Sequence, residues 1–223
     1  MEFKLSFKVN DHIYLRDPES SELGMLMVKN AIELIHNIGF EQFTFKKLAL
    51  EMNTTEATIY RYFENKHRML LYILNWYWSY MEYLVIYRIQ NLKDSKSKLK
   101  TIIEILTNDL PESNGKLEYN RAYLTQIVIA ESSKVYLVKD IKEINKEEVF
   151  KPYKDLCAKI ASIIKEYNPK YKYGHSLSTT IIEASHQQQY FAKHLPRLTD
   201  IKNKNEREYT ALFLEELLFK VLS

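Results

Sequence analysis

Apolar positions recur every three to four residues along most of the chain, the spacing of helices that bury one side. Leu23, Leu26, Met27, Ala31, Leu34, Ile35 and Ile38 predict a first helix, opened by Asp17-Pro18 and ended by Gly39. Thr44 is placed to cap a short second helix with Phe45, Leu48, Ala49 and Met52 on its inner side. Asn53 tolerates a left-handed backbone and suits a tight turn. Thr55 then caps a third helix over 55–63, whose buried positions are Ile59 and Phe63. Ala57, Thr58, Tyr60 and Arg61 point away from that seam, so the outer face is wide and polar.

A long helix over about 66–90 follows, with Leu70, Ile73, Tyr77, Met81 and Leu84 on one side and Trp76, Tyr80, Tyr83 and Tyr87 on another. A helix apolar nearly all round belongs between layers. Further helices are expected over 97–109, 118–138, 153–167, 174–194 and 205–222, with breaks at 111–115, Pro152, Pro169 and 194–204. Residues 3–9 alternate like a strand, but no second such run lies nearby, so residues 1–16 are expected to form an extended arm. The fold class is all-α: a three-helix N-terminal unit over 17–66, joined by the long helix to a helical bundle within 67–223.

Composition narrows the function. Only 4 Gly and 5 Pro in 223 residues leave little material for hairpins, against an all-β fold. A single cysteine, Cys157, excludes an intramolecular disulfide framework and fits a reducing cytosol, and the N-terminus lacks the apolar core of a secretory leader; a cytoplasmic protein is expected. Residues 69–89 are long and apolar, but Asn75, Glu82 and Arg88 make a buried helix the better reading than a membrane span. No Cys/His or Ser/His/Asp set has usable spacing and no Gly-rich loop exists, so neither catalysis nor a cofactor is expected. Glu183, His186 and His194 do not have the spacing of a zinc site, and no metal is expected.

Two short helices joined by a tight turn, the second with an exposed polar face, describe a helix-turn-helix, whose second helix enters the DNA major groove. Net charge does not argue for DNA: the first 80 residues hold 9 Lys+Arg against 10 Asp+Glu, so binding must rest on where a few cations sit. The residues are more specific than the spacing. The stretch 31–70, AIELIHNIGFEQFTFKKLALEMNTTEATIYRYFENKHRML, resembles the DNA-binding domain of the TetR family of bacterial transcriptional repressors. It carries the Gly-Phe helix end, the capped Thr-x-x-x-Leu-Ala helix, Thr-Ile-Tyr-x-Tyr-Phe, and the Asn-Lys pair that opens the fourth helix.

The resemblance implies roles. Thr44 would touch phosphate, and Lys46 would reach a base edge or backbone at the groove's rim. Glu56, Ala57 and Thr58, following the cap Thr55, would face bases. Tyr60 and Tyr62 would contact phosphates, Arg61 either target, and Lys66 a phosphate at the start of the fourth helix. The chain departs from the family at Asn53-Thr54-Thr55, where Gly-Val-Ser is usual, and at Glu56, where Lys or Arg is common. The resemblance also implies a small-molecule inducer and a homodimer on a palindromic double-stranded DNA operator, with no membrane role. It would make Trp76, Tyr80, Tyr83 and Tyr87 an inducer-pocket lining, where ordinary core packing is the competing reading.

The last two helices each carry two apolar sides. Tyr209, Leu212, Phe213 and Leu217 form one side of 205–222; Ala211, Leu214, Leu218 and Leu222 form the other. A second stripe asks for a second neighbour. Ile182, Ser185 and Gln189 with Ala211, Leu214 and Leu218 are the expected dimer contacts. A protein of another class, a helical small-molecule binder or enzyme with a vestigial DNA head, is the alternative, motivated by the near-neutral head and Glu56.

Overall fold

The computed structural model describes residues 7–111, 118–136, 145, 148–201 and 205–223; residues 3–6 of the alternating run and parts of the expected 111–115 and 194–204 breaks lie outside them. Among the described residues there is no strand. The helices are α1 (Glu22–Gln42), α2 (Phe45–Glu51), α3 (Glu56–Tyr60), α4 (Lys66–Ile89), α5 (Ser95–Thr107), α6 (Arg121–Glu131), α7 (Ser133–Tyr136), α8 (Lys151–Tyr167), α9 (Gly174–His194) and α10 (Glu206–Leu222). The span expected as one helix over 118–138 is α6 and α7, and residues 137–138 lie outside the described residues. By its internal contacts the chain divides into two compact units, residues 1–79 with 110–151, and residues 80–109 with 152–223.

In the first unit, Asp17 caps a 3-10 turn, Pro18–Ser20, rather than α1 itself, and Ser21 is the cap of α1. The chain doubles back tightly enough that a Cβ on Gly24 would lie 2.3 Å from the carbonyl oxygen of Pro18, so only glycine fits there. Met27, Val28, Ala31, Ile32 and Ile35 of α1 form a core with Leu48, Ile59, Phe63, Leu70 and Ile73. Gly39 leaves helical geometry at φ 76°, and the chain makes one more helical turn before Phe43. α1 also packs on α6, where the His36 and Tyr123 rings stack 3.7 Å apart. α4 is buried on all sides over 69–78; beyond that, Met81, Val85 and Ile89 stay inside while Tyr83, Ile86 and Tyr87 are exposed. No helix among the described residues is long and apolar enough to cross a membrane.

The second unit corrects the expected dimer face. Thr210, Leu214, Leu218 and Leu222 are the buried side of α10, and Leu177, Ser178, Ile181, Ile182, Ser185 and His186 the buried side of α9. Ile182, Ser185, Leu214 and Leu218 are therefore inside their own chain, Ala211 is half-buried, and Gln189 spends its amide on the carbonyls of Leu106 and Ser185, both at 3.1 Å. The exposed side carries Tyr209, Leu212 and Phe213 instead. The two stripes of α10 are equally apolar, so periodicity cannot rank them. Packing of α10 against α5 and α9 decides, and it takes the stripe with the small Thr210, whose hydroxyl is satisfied within the helix by the carbonyl of Glu206.

Glu183, His186 and His194 have separate surroundings. Glu183 accepts from the Tyr153 hydroxyl at 2.7 Å, His194 lies against the Tyr190 ring, and His186 is buried. No group of His, Cys, Asp and Glu among the described residues can hold a metal. Burial pushes the Cys157 thiol up to about 11 and the His186 imidazole down to about 4. The folded state thus keeps His186 neutral where the unfolded chain protonates it. Stability is whole above the unfolded value of about 6.5 and falls with pH between there and about 4, by roughly 3 kcal/mol. Urea unfolding midpoints measured from pH 7.5 to 4 should show this loss, and His186→Gln should flatten it.

Candidate nucleic-acid interface

α2 and α3 are too short to be stable by propensity alone and depend on their caps and shared core. Thr44 accepts the backbone N–H of Lys47 at 3.2 Å, and Thr55 accepts that of Thr58 at 3.3 Å. Asn53 takes a left-handed conformation at φ 50°, while Thr54 N–H donates to the Ala49 carbonyl at 2.8 Å. The Asn53-Thr54-Thr55 variant of the turn therefore builds a complete hairpin. Ile59 and Phe63 point into the core, as their four-residue spacing predicts.

The outer face brings most of the expected site residues together. Thr44, Lys46, Thr55, Glu56, Ala57, Tyr60 and Arg61 are exposed, and Thr58 is half-buried, its hydroxyl 3.1 Å from that of Thr55. Tyr60 is 50% exposed, its ring edge-on to Phe45 at 5.0 Å, which sets the direction of the hydroxyl while leaving it outside. Glu56 stands in the first turn of α3, where a carboxylate complements the partial positive charge of the helix start.

Two expected contacts are committed elsewhere. Tyr62 is only 2% exposed, and its hydroxyl shares a 2.8 Å hydrogen bond with Ser21. α3 ends at Tyr60, and Tyr62 falls on the inner side with Ile59 and Phe63, three positions after the first and one before the second. The Lys66 ammonium donates to the carbonyls of Phe40 at 3.1 Å, Glu41 at 3.2 Å and Phe43 at 3.2 Å, and sits 4.7 Å from the centre of the Phe40 ring. All three of its protons are used in ending α1. The same turn is held from the other side. Phe40 N–H donates to Glu131 at 3.1 Å, and Lys134 bridges Glu131 and Glu41 at 2.8 Å each, which lowers the Glu41 carboxyl below its usual range. Ser21, Glu131 and Lys134 were invisible to periodicity, because Glu131 meets Phe40 across 91 positions of sequence.

The aromatic stripe is divided between the two compact units, with Trp76 in one and Tyr80, Tyr83 and Tyr87 in the other. Trp76 is buried, packs edge-on against Phe7 and Tyr119, and donates its indole N–H to Glu19 at 3.2 Å. Tyr80 is buried, whereas Tyr83 and Tyr87 are exposed and stack with centroids 5.9 Å apart.

The arrangement defines an all-helical protein with a helix-turn-helix head. Residues 28–73 match the model for bacterial regulatory proteins of the tetR family, and the head is a tetR-family head. No curated protein matches the chain in sequence. Solved structures share its fold, among them the following three. A crystal structure of AibR in complex with isovaleryl coenzyme A and operator DNA aligns with TM-score 0.59 at 15% identity, over 87% of this chain and 96% of that one. The fatty acid degradation regulator FadR from Bacillus halodurans aligns with TM-score 0.59 at 17% identity, over 86% and 95%. A transcriptional regulator from Rhodococcus sp. Rha1 aligns with TM-score 0.60 at 13% identity, over 93% and 96%.

Replacing Lys66 with Met should remove the three charge-assisted bonds and leave those carbonyls to compete for water. The expected loss is about 2–3 kcal/mol in urea unfolding, with the far-ultraviolet helical signal retained.

Proposed function

We propose that the protein is a ligand-responsive transcriptional repressor, acting in the cytoplasm, which binds a palindromic double-stranded DNA operator as a homodimer. The observation that carries this reading is the capped α2–turn–α3 hairpin, with Ile59 and Phe63 buried while Thr44, Lys46, Glu56, Ala57, Tyr60 and Arg61 share the open side. Glu56, Ala57 and Thr58 face base edges; Thr44 and Tyr60 contact phosphates; Lys46 and Arg61 supply the cations. Glu56 suits a cytosine amine and weakens binding to DNA of arbitrary sequence. In this reading residues 17–66 read DNA and residues 67–223 bind ligand and dimerise.

Dimerisation uses the open side of α9 and α10. Tyr209, Leu212 and Phe213 on α10 and Tyr190 on α9 are exposed apolar side chains. A two-fold contact would bury them and set two heads on successive major grooves. Ligand response is supported by AibR, a protein of this fold that binds both isovaleryl coenzyme A and operator DNA. It is also supported by Asn75, buried on α4, whose amide donates to Leu71 at 3.0 Å while its oxygen has no hydrogen-bond partner among the described residues. An inducer acts by favouring a head spacing that no longer fits adjacent grooves. α4 is the lever, since residues 66–79 belong to one compact unit and 80–89 to the other.

Selection from a random duplex pool should return a palindrome with half-sites about one helical turn apart. Arg61→Ala should then weaken binding to it about five- to 150-fold, as loss of about 1–3 kcal/mol implies. A pool that yields no palindrome at modest salt would instead favour the binder with a vestigial head. In sedimentation, Phe213→Glu should shift dimer to monomer at micromolar concentration, whereas a variant at an exposed position of the head, such as Glu51→Lys, should not.

A further inference from the structure

The residues before α1 do more than trail from the head. Val9 and Ile13 are buried, Asn10 caps a 3-10 turn at Asp11–Ile13, and Phe7 and Tyr14 set their rings edge-on against Trp76 and Tyr72 of α4. Leu15 N–H donates to the carbonyl of Tyr62 at 2.8 Å, which ties this segment to the chain just past α3. The next residue, Arg16, is exposed, and its guanidinium lies 5.1 Å from the centre of the Tyr62 ring. Asp17 follows at once as a cap, so the backbone is fixed on both sides of Arg16.

Tyr62 itself is covered by this arrangement, its hydroxyl shared with Ser21. A neutral phenol so placed has little to offer a phosphate, whereas the cation on its outer side has a planar fork of donors suited to one. The head is also short of uncommitted positive charge: Lys66 is spent on three carbonyls, and Lys47 donates to the carbonyl of Gln42 at 2.9 Å.

We propose that residues 7–16 are a strap that holds Arg16 over Tyr62, and that Arg16 makes a DNA phosphate contact at the position the sequence pattern assigns to Tyr62. Leu15 and Ser21 are positioning residues in this scheme, and Arg16 is the contact. The strap runs from the α4 aromatic cluster to the end of the recognition helix, so the contact comes pre-ordered and its cost in side-chain freedom is lower than for a cation on a loose arm. The inference rests on the DNA-binding reading above.

The test uses the full chain and the duplex it selects, with fluorescence anisotropy between about 50 and 200 mM salt. Arg16→Gln should flatten the slope of log affinity against log salt by about 0.9 per half-site, the signature of one lost phosphate contact. Arg16→Lys should keep the wild-type slope, and Tyr62→Phe should leave the slope unchanged whatever it does to affinity. Thermal unfolding of each variant separates loss of the contact from loss of the fold, since loosening alone lowers affinity at every salt without changing the slope. An unchanged slope in Arg16→Gln, or an equal flattening in Tyr62→Phe, overturns the assignment while DNA binding by the wild-type chain stands. A wild-type chain that binds no duplex overturns both.

Discussion

Three carbonyls at the end of α1, those of Phe40, Glu41 and Phe43, converge on the ammonium of Lys66 at the start of α4. A helix end leaves carbonyls without partners, and burying them without a donor is costly. Gly39 turns the chain at a φ that other residues resist, and Lys66 then closes the turn. With Glu131 holding the Phe40 N–H, the corner is satisfied from both sides. The direction in which α2 and α3 leave α1 follows from that corner, and so does the plane of the exposed face of α3.

The surface is built economically. α3 has five residues and a single fully buried side chain, Ile59, and gains its order from the cap at Thr55, the Asn53 turn and Phe63 just beyond its end. So thin an inner face leaves the remaining positions to solvent, where hydroxyls, a carboxylate and a guanidinium can act. The near-neutral charge of the head matters less than its distribution: Lys66 and Lys134 serve structure, whereas Lys46, Arg61 and Arg16 are exposed.

The corner also joins the head to α6 and α7. Glu131 ends α6 and Lys134 lies in α7, and both bear on the Gly39–Phe43 turn. A shift of α6 would therefore be felt at the end of α1 through a hydrogen bond and an ion-pair bridge rather than through diffuse packing. α4 runs on from Lys66 as a continuous helix, with the exposed Tyr83–Tyr87 pair near its far end.

Local signals were legible in the amino-acid order. The caps at Thr44 and Thr55, the break at Gly39, the left-handed Asn53, and the Ile59–Phe63 seam are set by residue chemistry within four positions, and the structure has each of them. So was the all-helical class, because helical period persists along the chain. Tertiary structure decided the remainder. Tyr62, beside Ile59 and Phe63, shares its hydroxyl with Ser21 far back in the chain; Lys66 turned to carbonyls brought near by the fold; and α10 buried the stripe with Thr210 rather than the equally apolar one with Phe213. Each of those choices compares partners distant in sequence, and periodicity carries no information about which of two equivalent faces a distant helix will meet.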